Sequence, residues 1–364
     1  MYTGVRPHRG NANSVQGKPE EFRRCRAAHV GGGWPRLRNP GRAVSNKLED
    51  PILIGAIDIG GTKIAAGVVD RHGRILSRAE CPTEPARGFT DGLRRTIAML
   101  RQTVADAELR GIGIGCTGPV DPVTGVLGSV DLLPGWQGGA IVDRLSEAFR
   151  VPVAMENDAD AAALAEAAWG TGSGKRRFLY VTVGTGIGVS IILDGVLYRG
   201  VDGSHPEIGH QVIDASGPLC YCGAHGCWES FASGPAIVAW AKDRFEPART
   251  AGGELTMKRL CELAEARNCA ALSAMDRQGY YLGLGLANLV TIFCPDAIAL
   301  GGGVMGSSHL FLDRARQVIR QCCSLVPFEK ADLAVASLGA DTPLAGAARV
   351  WHYRFGSVGK AHAI

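Results

Sequence analysis

Two stretches of this sequence, one beginning at residue 52 and the other at residue 178, are written on the same plan. In the first, Ile52-Leu53-Ile54-Gly55-Ala56-Ile57 reads as a buried strand and Asp58-Ile59-Gly60-Gly61-Thr62 as a glycine turn. Residues 64–69 then read as a second strand, and Asp70-Arg71-His72-Gly73 turns into Arg74-Ile75-Leu76. In the second, Phe178-Leu179-Tyr180-Val181-Thr182-Val183 runs into Gly184-Thr185-Gly186-Ile187-Gly188, followed by a strand over 189–193, the turn Asp194-Gly195 and Val196-Leu197-Tyr198. Short aliphatic runs bounded by glycine read as strands, and a supersecondary unit used twice implies two related α/β domains. The 364 residues, 46% hydrophobic and 20% charged, are enough for two such domains with real cores. A ligand would then sit in the cleft between them.

Between the two units, Gly111-Ile112-Gly113-Ile114-Gly115 reads as a strand, residues 140–149 as a short amphipathic helix and 151–155 as another strand. Residues 158–169 are alanine-rich and helical, with Gly170 as the stop signal. Further on, 280–293 reads as a buried helix, 297–300 as a strand, Gly301-Gly302-Gly303 as a tight turn, and 310–321 and 342–355 as helices. This places one domain at 49–167, joined by the C-terminal helix at 342–356, and the other at 168–341. The apolar stretch 280–293 is interrupted by Gly283, Gly285 and Asn288, too short and broken to span a bilayer, so no membrane partner is expected. Gly113-x-Gly115-x-x-Gly118 spells a dinucleotide fingerprint, but Pro119 and Pro122 stand where its helix must begin. The string 170–176 is one residue short of a Walker loop and lacks the Ser/Thr that binds Mg²⁺.

The formal net charge of +4 conceals an uneven distribution. Residues 1–48 carry ten Lys/Arg against two Glu, leaving 29 basic against 33 acidic residues in the remainder. That segment is rich in Gly, Pro and Arg without helical or alternating period, so it reads as a disordered basic tail. It holds no apolar run of the kind a secretory signal carries, and a nucleic-acid-binding arm is not expected from it.

Cys220-Tyr221-Cys222-Gly223-Ala224-His225-Gly226-Cys227-Trp228-Glu229 packs three thiols into a glycine-punctuated loop downstream of Glu207 and His210. With His210 these make a Cys₃His set, which closes a zinc tetrahedron and leaves no open position, so the metal would be structural. His225 competes as the imidazole, though its neighbours suit a turn. Ordinary buried thiols are the plainer reading. The other eight cysteines are scattered without framework spacing, which fits free thiols in a reducing, cytoplasmic compartment.

Asp58 precedes a turn whose glycines, Gly60 and Gly61, let backbone N–H groups approach an anion, and Gly184-Thr185-Gly186 does the same in the second unit. A carboxylate beside such amides suits a Mg²⁺-nucleotide, since the metal wants oxygen ligands and the phosphates want N–H donors. Glu156-Asn157-Asp158 stands where a strand meets the alanine-rich helix. Asn157 or Asp158 caps that helix on the plain reading, and a carboxylate so placed can also accept a proton from an attacking hydroxyl. Glu207, Glu229, Asn157 and His210 are groups of the kind that hold sugar hydroxyls.

These strings, Asp58-Ile59-Gly60-Gly61-Thr62-Lys63, Glu156-Asn157-Asp158-Ala159-Asp160, Gly184-Thr185-Gly186-Ile187-Gly188, Glu207-Ile208-Gly209-His210 and the cysteine loop, resemble in order and spacing those of the ROK family. The family contains bacterial glucokinases, other sugar kinases and sugar-responsive repressors, and the resemblance covers about residues 52–355. It implies the two-domain actin/hexokinase-like (ribonuclease H-like) α/β fold with an inter-domain cleft and a structural zinc loop. It also implies ATP, Mg²⁺ and Zn²⁺ as cofactors, a hexose phosphorylated on its 6-hydroxyl, and a homodimer or homotetramer. Carried over, Asp158 is the catalytic base, Asn157, Gly118, Glu207, His210 and Glu229 bind the sugar, and His210, Cys220, Cys222 and Cys227 bind zinc. Asp58 organises Mg²⁺, Gly60, Gly61, Thr62, Lys63, Gly184, Thr185 and Gly186 form the phosphate loops, and Gly301-Gly302-Gly303 accepts adenosine.

Several positions depart from the family pattern. Leu132-Leu133-Pro134-Gly135-Trp136 stands where Asn-Leu-Pro-Gly-Trp is common, Thr117 replaces a usual Pro, and Ser204-His205-Pro206 precedes Glu207 where small residues are common. Glucose is the first expectation, with fructokinase, mannokinase or N-acylmannosamine kinase activity as alternatives. A repressor needs a winged helix-turn-helix in front, and residues 1–48 lack two apolar-periodic helices with a turn. A catalytically dead sugar sensor would not need Asp158 and both phosphate loops.

Overall fold

Strand β1 (Leu53–Ile59) is a run of aliphatic residues whose middle is wholly buried, and the computed structural model, which describes residues 52–244 and 255–356, is built outward from it. The basic tail expected at 1–48 lies outside the described residues. β2 (Lys63–Asp70) and β3 (Ile75–Pro82) return antiparallel, and α1 (Phe89–Val104) crosses over to β4 (Gly111–Cys116), which pairs parallel with β1. A small hairpin of β5 (Val120–Asp121) and β6 (Val126–Leu127) follows where the dinucleotide fingerprint would have needed a helix. Then come α2 (Ile141–Phe149), β7 (Val153–Asn157), parallel to β4, and α3 (Asp158–Trp169).

The plan then repeats. β8 (Arg177–Val183), β9 (Ile187–Leu193) and β10 (Val196–Leu197) are again antiparallel neighbours. After the helices α4 (Glu229–Ala232), α5 (Gly234–Lys242), α6 (Met257–Glu265) and α7 (Cys269–Phe293), strand β11 (Ala297–Gly301) pairs parallel with β8. α8 (Leu312–Cys322) crosses to β12 (Asp332–Val335), and α9 (Thr342–Phe355) ends the described chain. The sheets run β3-β2-β1-β4-β7 and β10-β9-β8-β11-β12, the same order and sense twice.

Helix α3 is the layer the two sheets share, because its alanines are small enough to be buried all round. Ala161 to Leu164 lie in one apolar cluster with Phe178, Tyr180 and Ile192 of the second sheet and Val350 of α9. Gly346 of α9 lets the two helices touch, since a Cβ there would stand 2.7 Å from the Ala161 carbonyl. α9 packs on β1, β4 and β7 of the first sheet. Fully buried Glu166 of α3 accepts N–H bonds from Thr171 and Leu338, both at 2.8 Å, and a 3.2 Å bond from Ser337 Oγ. Both segments that cross between the sheets are therefore tied to one carboxylate.

Helix α7 begins eleven residues earlier than the expected 280. Asn268 caps it, accepting from the Ala271 N–H at 3.1 Å. Its glycines do not break it because they sit where neighbours press in: a Cβ at Gly279 would lie 2.5 Å from the Phe311 carbonyl oxygen, and one at Gly283 2.7 Å from Val318. α1, α4, α5, α6, the β5–β6 hairpin and β12 are not anticipated by the sequence reading. Among the described residues no helix is long and apolar enough to cross a membrane.

Candidate functional site

The parallel strands bring three chain segments to one edge. Asp58 of β1 is paired with Gly115 of β4, which in turn faces Glu156 of β7, and Cys116 faces Asn157. Gly115 has no side chain, and a Cβ there would lie 3.6 Å from Asp58 Oδ1 and 3.8 Å from the Asp158 Cα. Asp58 and Asp158 thus both border this glycine and line one cavity. Asn157 Oδ1 and Asp158 Oδ1 both accept the Ala159 N–H, at 2.9 and 2.8 Å, which caps α3 and fixes both side chains at its start. Asn157 also borders Gly118, where a Cβ would be 3.0 Å from its Nδ2.

Asp158 is open to the pocket yet hemmed in by protein on its other sides. That enclosure raises its pKa, against the Ala159 N–H and with the help of the Asp160 charge. Asp58 is pushed up to about 7, first by burial and then by the Asp158 charge. Two carboxyls crowded in a low-dielectric pocket are a ready donor set for a divalent cation, which would relieve both terms.

Two cavities lie beside the glycine turns, the first turn represented by its flanking residues Asp58 and Lys63. One, of about 830 Å³, is lined by Asp58, Lys63, Asp158, Thr182 and Gly301 to Gly303. The other, of about 820 Å³, is lined by Gly184, Thr185, Gly234, Lys258, Glu262 and Gly303. Gly303 and Gly306 line both. Gly302 takes φ 89° and its missing side chain leaves room for the Val183 backbone, so only glycine fits this junction. The first turn is closed by Gly60 N–H donating to Lys63 O at 2.9 Å, Gly61 packs on Leu132, and Lys63 is paired with Glu80 at 3.2 Å. Thr62 lends its carbonyl to the Thr83 N–H.

The remaining predicted residues gather around the cysteine loop. Glu229, at the start of α4, accepts the Ile187 N–H at 2.7 Å, and a side chain at Gly186 would strike its carboxylate. Glu207 is exposed and begins the tight turn Ile208–His210. His210 and the thiols of Cys220, Cys222 and Cys227 place their ligand atoms within 4.8 Å of one another. Cys220 Sγ is 3.4 Å from His210 Nδ1 and Cys222 Sγ is 3.5 Å from Cys227 Sγ. These separations suit the edges of a tetrahedron with bonds of about 2.0–2.3 Å, so the donor set fits zinc. His225 turns instead to the Gly217 carbonyl at 3.1 Å.

A profile of the ROK family matches residues 54–354. The chain belongs to the ROK family. A glucokinase of Halalkalibacterium halodurans is 32% identical over 316 residues, covering 82% of this chain and 94% of that protein. A xylose repressor of Bacillus spizizenii is 31% identical over 315 residues, covering 85% of this chain and 79% of the repressor. Among solved structures, a ROK glucokinase from Streptomyces griseus in complex with glucose and AMPPNP is 34% identical with a TM-score of 0.69, covering 82% of this chain and 98% of that one. The α/β fold with mixed sheets is therefore similar to that of ROK sugar kinases.

Residues outside the sequence-derived set also stand at the site of this family member. The Tyr221 hydroxyl lies 2.9 Å from His210 Nε2. The Tyr221 side chain is largely exposed, and modest desolvation together with the charges of Glu229, Cys220 and Glu207 pushes its pKa up to about 12. Glu156, Asp160, Arg199 and His205 form a charged cluster beside Asp158. His205 stands out in sequence as a departure from the family pattern, whereas Arg199 carries no local signal.

Proposed function

We propose that this chain is an ATP-dependent hexose kinase that phosphorylates the 6-hydroxyl of its sugar, with glucose as the first candidate and fructose, mannose or an N-acylmannosamine as alternatives. The observation that carries this reading is Asp158, capped at the start of α3 and open to a cavity that is also lined by Asp58 and Lys63 of the first sheet and by the Gly301 to Gly303 turn of the second. The sugar hydroxyl would lie against the Asp158 carboxylate, whose raised pKa suits proton acceptance. Asn157, Gly118, Glu207, His210 and Glu229 would hold the other hydroxyls.

The triphosphate would run from the cavity at Thr185 and Gly234 past Gly303 toward Asp58, with backbone N–H groups of both glycine turns at its oxygens. Asp58 would hold Mg²⁺, which neutralises phosphate charge when bound. The Cys₃His set would hold a structural zinc that fixes the loop bearing Glu229. Residues 49–167 with 342–356 would form one domain and 168–341 the other, closing over the substrates to exclude water.

The similarity to a xylose repressor supports a second reading, a sugar-responsive regulator that has kept this pocket. A coupled assay of ADP formation across a panel of hexoses decides between them. Hexose-dependent ADP release establishes the kinase, and its absence with retained sugar binding supports the regulator.

A further inference from the structure

Two buried carboxylates flank the proposed base in sequence and are bridged by one cation from another part of the chain. Glu156 is 8% exposed on β7 and Asp160 is 1% exposed in the first turn of α3. Arg199 reaches both, Nη2 bonding to Glu156 Oε2 and Nη1 to Asp160 Oδ2. His205 Nδ1 lies 3.0 Å from the same Asp160 oxygen and 3.4 Å from Arg199 Nη1. The guanidinium therefore spans the strand-to-helix junction that presents Asn157 and Asp158, binding it on both sides of the turn. A planar fork with several N–H donors can do this, while a single ammonium cannot.

Arg199 and His205 belong to the segment between β10 and the Ile208–His210 turn, a loop pinched by the Gly200 N–H on Ser204 O at 2.8 Å. Two residues past His205 comes Glu207, and His210 follows. The cluster thus joins the helix bearing the base to the arm bearing two proposed sugar ligands. Burial raises the Asp160 pKa, but the His205 bond and the His205 and Arg199 charges outweigh it, so the carboxylate is held below its ordinary range and stays ionised as an anchor.

We infer that Arg199 is a positioning residue for phosphoryl transfer: by bridging Glu156 and Asp160 it orients Asp158 and couples that orientation to the arm carrying Glu207 and His210. This rests on the kinase reading for its catalytic consequence, while the physical coupling stands apart from it. Arg199 does not touch the proposed substrates. Its removal should act on turnover and sugar use without altering the nucleotide cavity.

The test compares Arg199→Ala and Arg199→Lys with the parent protein in kinetics and in amide hydrogen exchange without substrates. The Ala variant should lose about 100-fold in kcat and raise the sugar KM several-fold, with the ATP KM within about twofold. Added guanidinium ion at tens of millimolar should restore about tenfold of that loss in the Ala variant and leave the parent unchanged. Arg199→Lys should fall between the two. Exchange should quicken at both the start of α3 and residues 200–210 in the Ala variant and slow again with guanidinium.

Equal rises in both KM values, exchange quickened throughout and no rescue would reduce Arg199 to a fold support and overturn the inference, as would kcat within threefold of the parent. Should the Ala variant fail to fold, Asp160→Asn decides: a lowered kcat with unchanged ATP KM supports the bridge, and parental kinetics overturn it. If the parent protein forms no ADP with any hexose, the kinase reading fails while the paired exchange change, present or absent, still settles the coupling.

Discussion

Asp58 and Asp158 both border the missing side chain of Gly115, and the charge of Asp158 helps hold the Asp58 carboxyl up at about 7. The strand register sets Asp58 opposite Gly115 and Gly115 opposite Glu156, and Asp158 follows two residues on, at the start of α3. A chain that placed two enclosed carboxyls together with no occupant would lose stability for no return. Under the proposed kinase reading, Asp58 would hold a cation and Asp158 would accept the proton of the sugar hydroxyl.

Replacing Asp158 by Asn keeps the shape and the bond from the Ala159 N–H but removes the proton acceptor. The kcat of Asp158→Asn should fall by about 10² to 10⁴, with the sugar KM within several-fold of the parent. Steady-state kinetics with a coupled ADP readout check this. Turnover near that of the parent would remove Asp158 from the mechanism.

The pH profile follows from the same residue. A base works only when unprotonated, so activity is lost as pH falls through its pKa, and enclosure has raised that pKa above its ordinary 3.8. The acid limb of kcat/KM for the sugar should therefore lie above the ordinary aspartate range, and Asp160→Asn, which deletes a raising charge, should move it to lower pH. A limb at or below the ordinary aspartate value would contradict the enclosure of Asp158.

Asp58 makes a stability prediction with a definite sign. Its folded pKa is raised from 3.8 to about 7, so between those values the folded state holds a proton that the unfolded chain has released. Stability from this group is full below the unfolded pKa and is lost as pH rises through the folded one. Asp58→Asn should thus melt above the parent at about pH 8, with the gap closing by about pH 4, and should be inactive. Thermal melts at the two pH values check it, and a parent that melts higher at pH 8 would sink it.

The sequence makes some of this legible and hides the rest for identifiable reasons. Helix α3 is readable to the residue because Asn157 caps it and Gly170 stops an alanine run. The doubled glycine turns are readable because turns need local residues. The start of α7 is missed because Gly279 looks like a boundary until the Phe311 carbonyl and Arg314 side chain that fill its space are known. Arg199 is invisible because its partners, Glu156 and Asp160, lie far upstream and meet it only through tertiary packing.

The cysteine loop predicts a stoichiometric metal. Purified protein should contain about one zinc per chain, and Cys222→Ser or Cys227→Ser should lose it together with sugar affinity and thermal stability, since the bound metal would hold His210 directly and fix the loop that leads to Glu229. Elemental analysis beside sugar titrations checks this. Full activity in a zinc-free preparation would show that the thiols are merely packed together.

Glu166 supplies the last prediction, because its two oxygens satisfy N–H groups on both segments that cross between the sheets. Glu166→Ala would leave the Thr171 and Leu338 N–H groups without this partner in a part-buried place, where each orphan would cost, as an upper bound, about 1–3 kcal/mol. Unfolding free energy should fall, by at most about 2–5 kcal/mol, read from urea denaturation. Glu166→Gln should lose less, since its carbonyl can still accept one of the two bonds while its NH₂ opposes the other. If Glu166→Ala unfolded at the same urea concentration as the parent, these bonds would add nothing to stability, and the crossing segments would have to be held by the packing of α3 on α9 alone.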